Sequence, residues 1–296
     1  MLNDDLRAAI ERALGAASAT WQPRGATGWG EAWSCVTAKG RYFVKLASGR
    51  HAAMLACEAD GLVALARTAT VRVPQVAAAG ACDGMAFLAL EWLDLGAGTS
   101  GGALGRALAA LHRCEAPRGP AGDRFGWHRD NWIGGTPQVN TWGDDWASFF
   151  RDRRLAPQLA RAIANGFGSA LAHDVESLMA RVPALLAGHD VTPSLVHGDL
   201  WSGNAAMLRS GDAVVFDPAV YVGDREVDIA MTELFGGFDA GFRDAYEARS
   251  PLDDGYALRR DLYNCYHLLN HVNLFGGAYL ARTRRAVAAL VAMAGH

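Results

Sequence analysis

Residues 197 to 204 read His197-Gly198-Asp199-Leu200-Trp201-Ser202-Gly203-Asn204. An aspartate two places after a histidine, followed five places later by an asparagine, has the spacing that phosphoryl transfer needs. The aspartate can accept the proton of an attacking hydroxyl, while the asparagine holds a metal ion on the other side of the transferring group. A plain surface turn rich in Gly, Ser and Asn is the competing reading, and the residues that follow count against it. Residues 205–208 and 213–216 are apolar runs separated by Arg209-Ser210-Gly211-Asp212, the pattern of a β-hairpin turning at Ser210-Gly211. Pairing the strands about that centre sets Ala205 opposite Phe216 and Asn204 opposite Asp217. Asp217 is thereby a second oxygen ligand for a hard cation such as Mg²⁺.

These groups need elements to hold a nucleotide against them. Lys45 lies on a strand reading Tyr42-Phe43-Val44-Lys45-Leu46, much like the lysine-bearing strand of kinases. Residues 52–66 form a helix-grade run with Leu55, Leu62 and Leu65 along one side, and Glu58 falls on or close to that side. A carboxylate there needs a partner, because burying it alone is costly. Lys45 is the natural one, and the pair would hold the lysine at the α/β-phosphates; an exposed Glu58 on a helix edge is the alternative. Gly28 and Gly30 lie in a Gly-rich turn that can bring backbone N–H groups against phosphate oxygens, although a G-x-G by itself is more often a plain hairpin turn. Glu91-Trp92-Leu93 leaves the predicted sheet, and in a two-lobed kinase such a connector offers backbone N–H and C=O groups to adenine.

The chain has 296 residues, 51% hydrophobic and 20% charged, which is an ordinary globular balance with enough length for a substantial core. A net charge of -3 leaves no basic footprint, so nucleic acid is not an expected partner. The start is acidic where a signal peptide would be basic, and no apolar run approaches membrane-spanning length. The expectation is a cytoplasmic protein with no membrane partner. The five cysteines are scattered with no C-x-x-C pair, as reduced structural thiols are. His267 and His271 stand at i,i+4, but without a third ligand nearby they read as packing or substrate-facing histidines.

Strands are expected at 33–37, 41–46, 74–79 and 85–90, and helices at 2–16, 52–66, 102–113, 144–166, 170–187, 226–235, 239–249, 254–275 and 277–293. A sheet-rich first third followed by a helical remainder makes an α+β, two-lobed architecture, with a nucleotide-binding lobe over 1–92 and a catalytic and substrate-binding lobe over 93–296. The loop at 117–142 contains Asp130-Asn131-Trp132-Ile133-Gly134-Gly135-Thr136-Pro137-Gln138. Long loops rich in aromatic and hydrogen-bonding groups are usually functional, and sugar recognition uses such groups. Asn131 is its candidate substrate residue.

Taken together, these residues resemble the fructosamine kinases, or ketosamine 3-kinases, of the protein-kinase-like and aminoglycoside-phosphotransferase fold group. The resemblance runs from the Gly28 turn to the Leu-Leu-Asn-His-Val-Asn-Leu-Phe-Gly-Gly stretch at 268–277. Its more specific marks are H-G-D-L-W-S-G-N, D-N-W-I-G-G-T-P-Q and the asparagine- and histidine-rich last part. It implies that Asp199 is the catalytic base, that Asn204 and Asp217 bind Mg²⁺, and that Trp201 and His271 face the sugar. The implied reaction moves the γ-phosphoryl of ATP to the 3-hydroxyl of a ketosamine, whose amine part is a small amine or glycated lysine, and so leads to release of the amine. The oligomeric state is unknown from the sequence.

Three rivals are weighed against this. A protein kinase is disfavoured because Gly198 replaces the arginine that reads a phosphorylated activation loop, and Asp217-Pro218-Ala219 replaces D-F-G. A kinase for choline, homoserine or an aminoglycoside shares the nucleotide machinery, but its acceptor pocket calls for more carboxylates than the 125–142 loop carries. A non-catalytic nucleotide-binding protein would lack one of Lys45, Asp199, Asn204 or Asp217, and all four are present.

Overall fold

The computed structural model describes residues 2–27, 29–96 and 101–293, which fall into two compact units. Unit 1 is Met1–Ser100 with Asn204–Ala219, and unit 2 is Gly101–Gly203 with Val220–His296. The 204–219 segment, which follows the boundary read from the sequence, thus clusters with the first unit.

Unit 1 opens with α1 (Asp4–Ala13), where the Asn3 side chain accepts the Leu6 N–H at 2.8 Å and Asp4 and Asp5 occupy the first turn. Cap and acidic residues both satisfy the positive helix end. Leu6, Ile10 and Leu14 then lie on one face and pack with Cys35, Val44, Leu46 and Phe87 of the sheet. Each such side chain contributes about 1.5–3 kcal/mol on burial, so this stripe docks the helix.

The sheet contains β1 (Thr20–Thr27), β2 (Gly30–Thr37), β3 (Gly40–Ser48), β4 (Val76–Cys82) and β5 (Met85–Glu91), with α2 (Ala52–Arg67) between β3 and β4. Its order is β1-β2-β3-β5-β4, and all pairs are antiparallel. Val44 and Leu46 belong to the α1 core, so Lys45 between them points to the other face by strand alternation. The strands expected from the sequence do not include one at 20–27. The register shifts between Pro23 and Gly25, and β1 is an edge strand, the place where proline and a bulge are tolerated.

Unit 2 begins with α3 (Gly101–Leu111), and the long loop after it holds a short hairpin of β6 (Asn131–Ile133) and β7 (Thr136–Gln138). The helix expected over 144–166 is broken into α4 (Trp146–Phe149) and α5 (Ala156–Ala162), separated and followed by π-helical turns at 150–155 and 163–167. The second π turn contains Gly166 at φ 89°, which no continuous helix can accommodate. Next come α6 (Gly168–Leu185) and β8 (Pro193–Val196); β9 (Ala205–Met207) and β10 (Ala213–Val215) belong to unit 1; β11 (Tyr221–Asp224), α7 (Glu226–Leu234), α8 (Ala240–Glu247), α9 (Tyr256–Phe275) and α10 (Leu280–Met293) complete unit 2. Strands β8 and β11 pair antiparallel. The core of this unit gathers around α9, whose Leu262, Tyr263, Cys265, Leu269 and Val272 are buried. No helix among the described residues is long and apolar enough to cross a membrane.

Candidate active site

In unit 1 the Lys45 ammonium is held between two carboxylates, 2.8 Å from Glu58 Oε1 and 2.5 Å from Asp217 Oδ1. Glu58 comes from α2, whose Leu55, Leu62 and Leu65 face inward and carry the glutamate with them. Burial works against the charge on Lys45, but Glu58 and Asp217 outweigh it and hold its pKa above the usual lysine value. Burial likewise pushes Glu58 up, against the attraction of Lys45 and with the repulsion of Asp217, to about 7. The lysine is therefore a fixed cation, and its Glu58 partner titrates near neutral pH.

Asp217 reaches this cluster from the end of the β9–β10 hairpin, in a register that corrects the one expected. Val215, not Phe216, lies opposite Ala205, and the Phe216 N–H donates to the Asn204 carbonyl at 3.0 Å. Asn204 thus faces Phe216, and Asp217 stands one residue further on. The shift arises at the turn, which has three residues rather than two. Leu208 donates to the Asp212 carbonyl at 2.8 Å, Gly211 donates to the Leu208 carbonyl at 2.9 Å, and Gly211 takes φ 92°. That is the three-residue hairpin closed by a left-handed glycine. Asp217 itself has φ 56°, a conformation uncommon for a residue with a side chain. Its carbonyl accepts from Asn204 Nδ2 at 3.5 Å.

The remaining nucleotide candidates divide. Gly28 lies outside the described residues. Gly30 is required by packing within the sheet, since a Cβ there would sit 1.9 Å from the Leu46 carbonyl oxygen. The Glu91 carboxylate pairs with Arg72 and accepts the Gln75 N–H at 3.1 Å. Leu93, past the end of β5, makes no backbone hydrogen bond among the described residues, so its N–H and C=O are available to a ligand.

In unit 2, Asp199 follows β8 in a loop tied down by a residue that the sequence reading passed over. The carboxylate of Asp228, buried on α7, accepts the His197 N–H at 2.7 Å and the Gly198 N–H at 2.8 Å. His112 Nε2 lies 3.2 Å from the same group, and its Nδ1 is 2.9 Å from the Tyr246 hydroxyl. Burial alone would raise the Asp228 pKa, but the hydrogen bond and charge of His112, with the charge of His197 and the Gly198 N–H, lower it. Leu200 is fully buried next to the half-buried Asp199. The loop is thus pinned on both sides of the aspartate, which leaves little backbone freedom at the proposed base.

Trp201 is 40% exposed, and its ring is folded over Gly203, where a Cβ would come within 2.2 Å. The half-buried His271 has its Nδ1 2.8 Å from the His267 carbonyl. That nitrogen must carry the proton, which leaves Nε2 as an acceptor. Burial first, and Arg282 next among the opposing influences, lower its pKa. Phe235, Tyr279 and Phe275 surround the ring at 4.7, 4.9 and 5.4 Å.

Asn131 is buried. Its Nδ2 donates to the Val220 carbonyl at 2.7 Å, and its Oδ1 accepts from Gln138 and Asn140, both at 2.8 Å. Its amide braces the loop from inside. The same loop is fastened by Arg154, fully buried in the first π-helical turn, which donates to the Val139 carbonyl at 2.6 Å and to Asn140 Oδ1 at 2.8 Å and stacks 3.9 Å over the Tyr221 ring.

A protein of Synechocystis sp., named provisionally as a ketoamine kinase, is 48% identical over 253 residues, 84% of this chain and 82% of its own length. The chloroplastic protein-ribulosamine 3-kinase of Arabidopsis thaliana is 40% identical over 245 residues, 82% of this chain and 74% of its own. A solved structure from Haemophilus somnus 129PT, named provisionally as a fructosamine-3-kinase, superposes with a TM-score of 0.86 at 28% identity, covering 97% of this chain and 96% of that one. An aminoglycoside phosphotransferase shares the fold alone, with a TM-score of 0.64 at 15% identity over 97% of this chain and 98% of its own. The family description that matches residues 6–293 is fructosamine kinase, and the chain belongs to that family.

Proposed function

We propose that the protein is an ATP-dependent kinase that phosphorylates the 3-hydroxyl of ketosamines. The observation that carries phosphoryl transfer is the Lys45 ammonium held between Glu58 and Asp217, a charge set to receive phosphate oxygens. The acceptor class is supported by the ketoamine and ribulosamine kinases among its relatives.

In this reading the substrate hydroxyl oxygen attacks the γ-phosphorus, its proton passes to Asp199, and the bond to the bridging oxygen breaks to leave ADP. Lys45 binds the α/β-phosphates, and the free N–H and C=O of Leu93 meet adenine. Asn204 and Asp217 are hard oxygen donors and suit Mg²⁺. Bound there, the ion would neutralise charge on the phosphates. Trp201 lays an aromatic face on the sugar and His271 Nε2 accepts from a hydroxyl. Phosphorylation at C3 destabilises the adduct and leads to release of the amine.

The test is ATP consumption across ribulosamines, fructosamines, choline, homoserine and aminoglycosides, with the phosphorylated carbon of the product identified. Ketosamine-dependent turnover with phosphate on C3 is expected. Turnover with choline or an aminoglycoside and none with ketosamines overturns the reading.

A further inference from the structure

The group that holds Asp228 is itself held, by a chain that runs to Arg225 just before α7. Arg225 donates to the Tyr246 hydroxyl at 2.9 Å, to the Ser250 carbonyl at 3.1 Å and to the Pro251 carbonyl at 2.6 Å. The Tyr246 hydroxyl lies 2.9 Å from His112 Nδ1, and His112 Nε2 lies 3.2 Å from Asp228 Oδ2. Close packing of α3 on α8 brings the tyrosine and the histidine together. A Cβ at Gly105 would sit 2.2 Å from the Phe242 carbonyl oxygen, and the two rings meet edge-on with 5.7 Å between centroids. The Ser194 hydroxyl on β8 donates to the His112 carbonyl at 2.9 Å, so the histidine backbone is fixed as well.

The two ends of this chain set the direction of every hydrogen bond in it. Arginine has donors only, so the Tyr246 oxygen accepts from Arg225. Burial raises the Tyr246 pKa against the opposing charge of Arg225, and the hydroxyl keeps its proton. On a fully buried side chain that proton needs an acceptor, and among the described residues the acceptor within reach is His112 Nδ1. At the other end Asp228, its pKa lowered, is an anion and can only accept, so His112 Nε2 carries the ring's proton. Both ends call for the same tautomer.

We infer that Arg225 and Tyr246 are positioning residues for Asp199, which act by fixing His112 as its Nε2–H tautomer and so keeping the Asp228 carboxylate turned to the His197 and Gly198 N–H groups. Without the hydroxyl, Nδ1 loses its donor and the ring is free to turn, and the carboxylate loses a partner of fixed direction. Through the Ser250 and Pro251 carbonyls Arg225 also joins the chain that follows α8 to the loop that carries the proposed base. The inference rests on the kinase reading for its effect on rate, while the hydrogen-bond directions are independent of any acceptor.

NMR of isotopically labelled histidine rings tests the directions, with His112 recognised by its contact with the Tyr246 ring. Expected in the wild type at mildly alkaline pH is a proton on Nε2 and none on Nδ1. Tyr246→Phe, which removes only the hydroxyl, should move the Nδ1 resonance and lower kcat about 2–10-fold, the weight of one hydrogen bond, with the KM for ATP near the wild-type value. Arg225→Met should lower kcat in the same way, and Arg225→Lys, which restores a donor, should recover part of it. A wild-type ring protonated on Nδ1 overturns the inference. So does an Nδ1 resonance that Tyr246→Phe leaves unchanged, or a kcat in Tyr246→Phe and Arg225→Met equal to that of the wild type. Should a variant fold poorly, the wild-type spectrum still decides. If no ketosamine is turned over, the acceptor reading fails, while the spectra, which need no substrate, still decide this one.

Discussion

The Asp228 carboxylate accepts the backbone N–H of Gly198 at 2.8 Å, one residue before Asp199. Its other oxygen takes the His197 N–H, so both oxygens of one buried group hold the chain leading to the proposed base. In Asp228→Asn one oxygen becomes an NH₂ that faces backbone donors. Loss of one partner from a buried charged network destabilises by about 3–5 kcal/mol. Expected are a marked drop in Tm and in kcat, with ATP affinity nearly unchanged; a variant with wild-type Tm and kcat removes Asp228 from the positioning role.

Asp199→Asn keeps the size of the side chain and removes its basicity. The hydroxyl proton then has no acceptor, and kcat should fall by about 10²–10⁴-fold, the usual weight of a general base. Nucleotide binding, followed by calorimetry, should persist. Turnover close to wild type assigns the proton to another group.

Glu58 gives the reaction a pH dependence. Its pKa of about 7 means that the carboxylate is charged above that pH and neutral below it, where Lys45 loses the charge of this partner. kcat/KM is expected to rise through pH 7 in the wild type, and Glu58→Gln should lower it and flatten that limb. Stability runs the other way. The folded chain binds this proton more tightly than the unfolded one, so the contribution of Glu58 is fully present below about 4.5 and is lost as pH rises through 7. Tm measured between pH 5 and 8 should show that loss in the wild type and not in Glu58→Gln.

Asn204 and Asp217 show where the sequence was legible and where it stopped. The kinase-like strand around Lys45 and the apolar side of α2 made the Lys45–Glu58 pair readable, because a carboxylate among leucines must find a cation. The same argument applied to Asp228, whose neighbours Val227, Ile229 and Ala230 are all buried, would have flagged it. His112 carries no such signal, because nothing local ties it to a residue 116 positions away. The hairpin was visible, but its register depended on a third turn residue that only the left-handed Gly211 reveals. Strand β1 was hidden by the proline and bulge that an edge strand allows.

In the corrected register Asn204 Nδ2 donates to the Asp217 carbonyl at 3.5 Å, and the two side chains, as hard oxygen donors, lead to a metal prediction. Asn204→Ala and Asp217→Ala each remove one hard donor, so each should raise the Mg²⁺ concentration needed for half-maximal rate. Asp217→Ala should do so more strongly, because it removes a charge, and it also frees Lys45. Mg²⁺ titrations superimposable on the wild type in both variants exclude the pair as ligands.

Trp201 offers the most specific test of acceptor recognition, because its ring position depends on a neighbour that bears no side chain. A Cβ at Gly203 would lie 2.2, 2.3 and 2.6 Å from three atoms of the six-membered ring, below any contact that real atoms make. Gly203→Ala must therefore move the indole from its seat without removing it. Trp201→Ala removes the aromatic face outright. Loss of one aromatic contact is worth about 0.5–1.5 kcal/mol beyond area burial, or roughly 2–12-fold. Both variants are expected to weaken ketosamine kcat/KM by at least that factor, Trp201→Ala the more, while the KM for ATP stays close to the wild-type value. A Trp201 that served only packing would instead give a lowered Tm and equal damage to both substrates, and since its ring is 40% exposed, truncation should cost little stability. Parallel loss of ATP and ketosamine affinity in Gly203→Ala would falsify the assignment of this ring to the sugar.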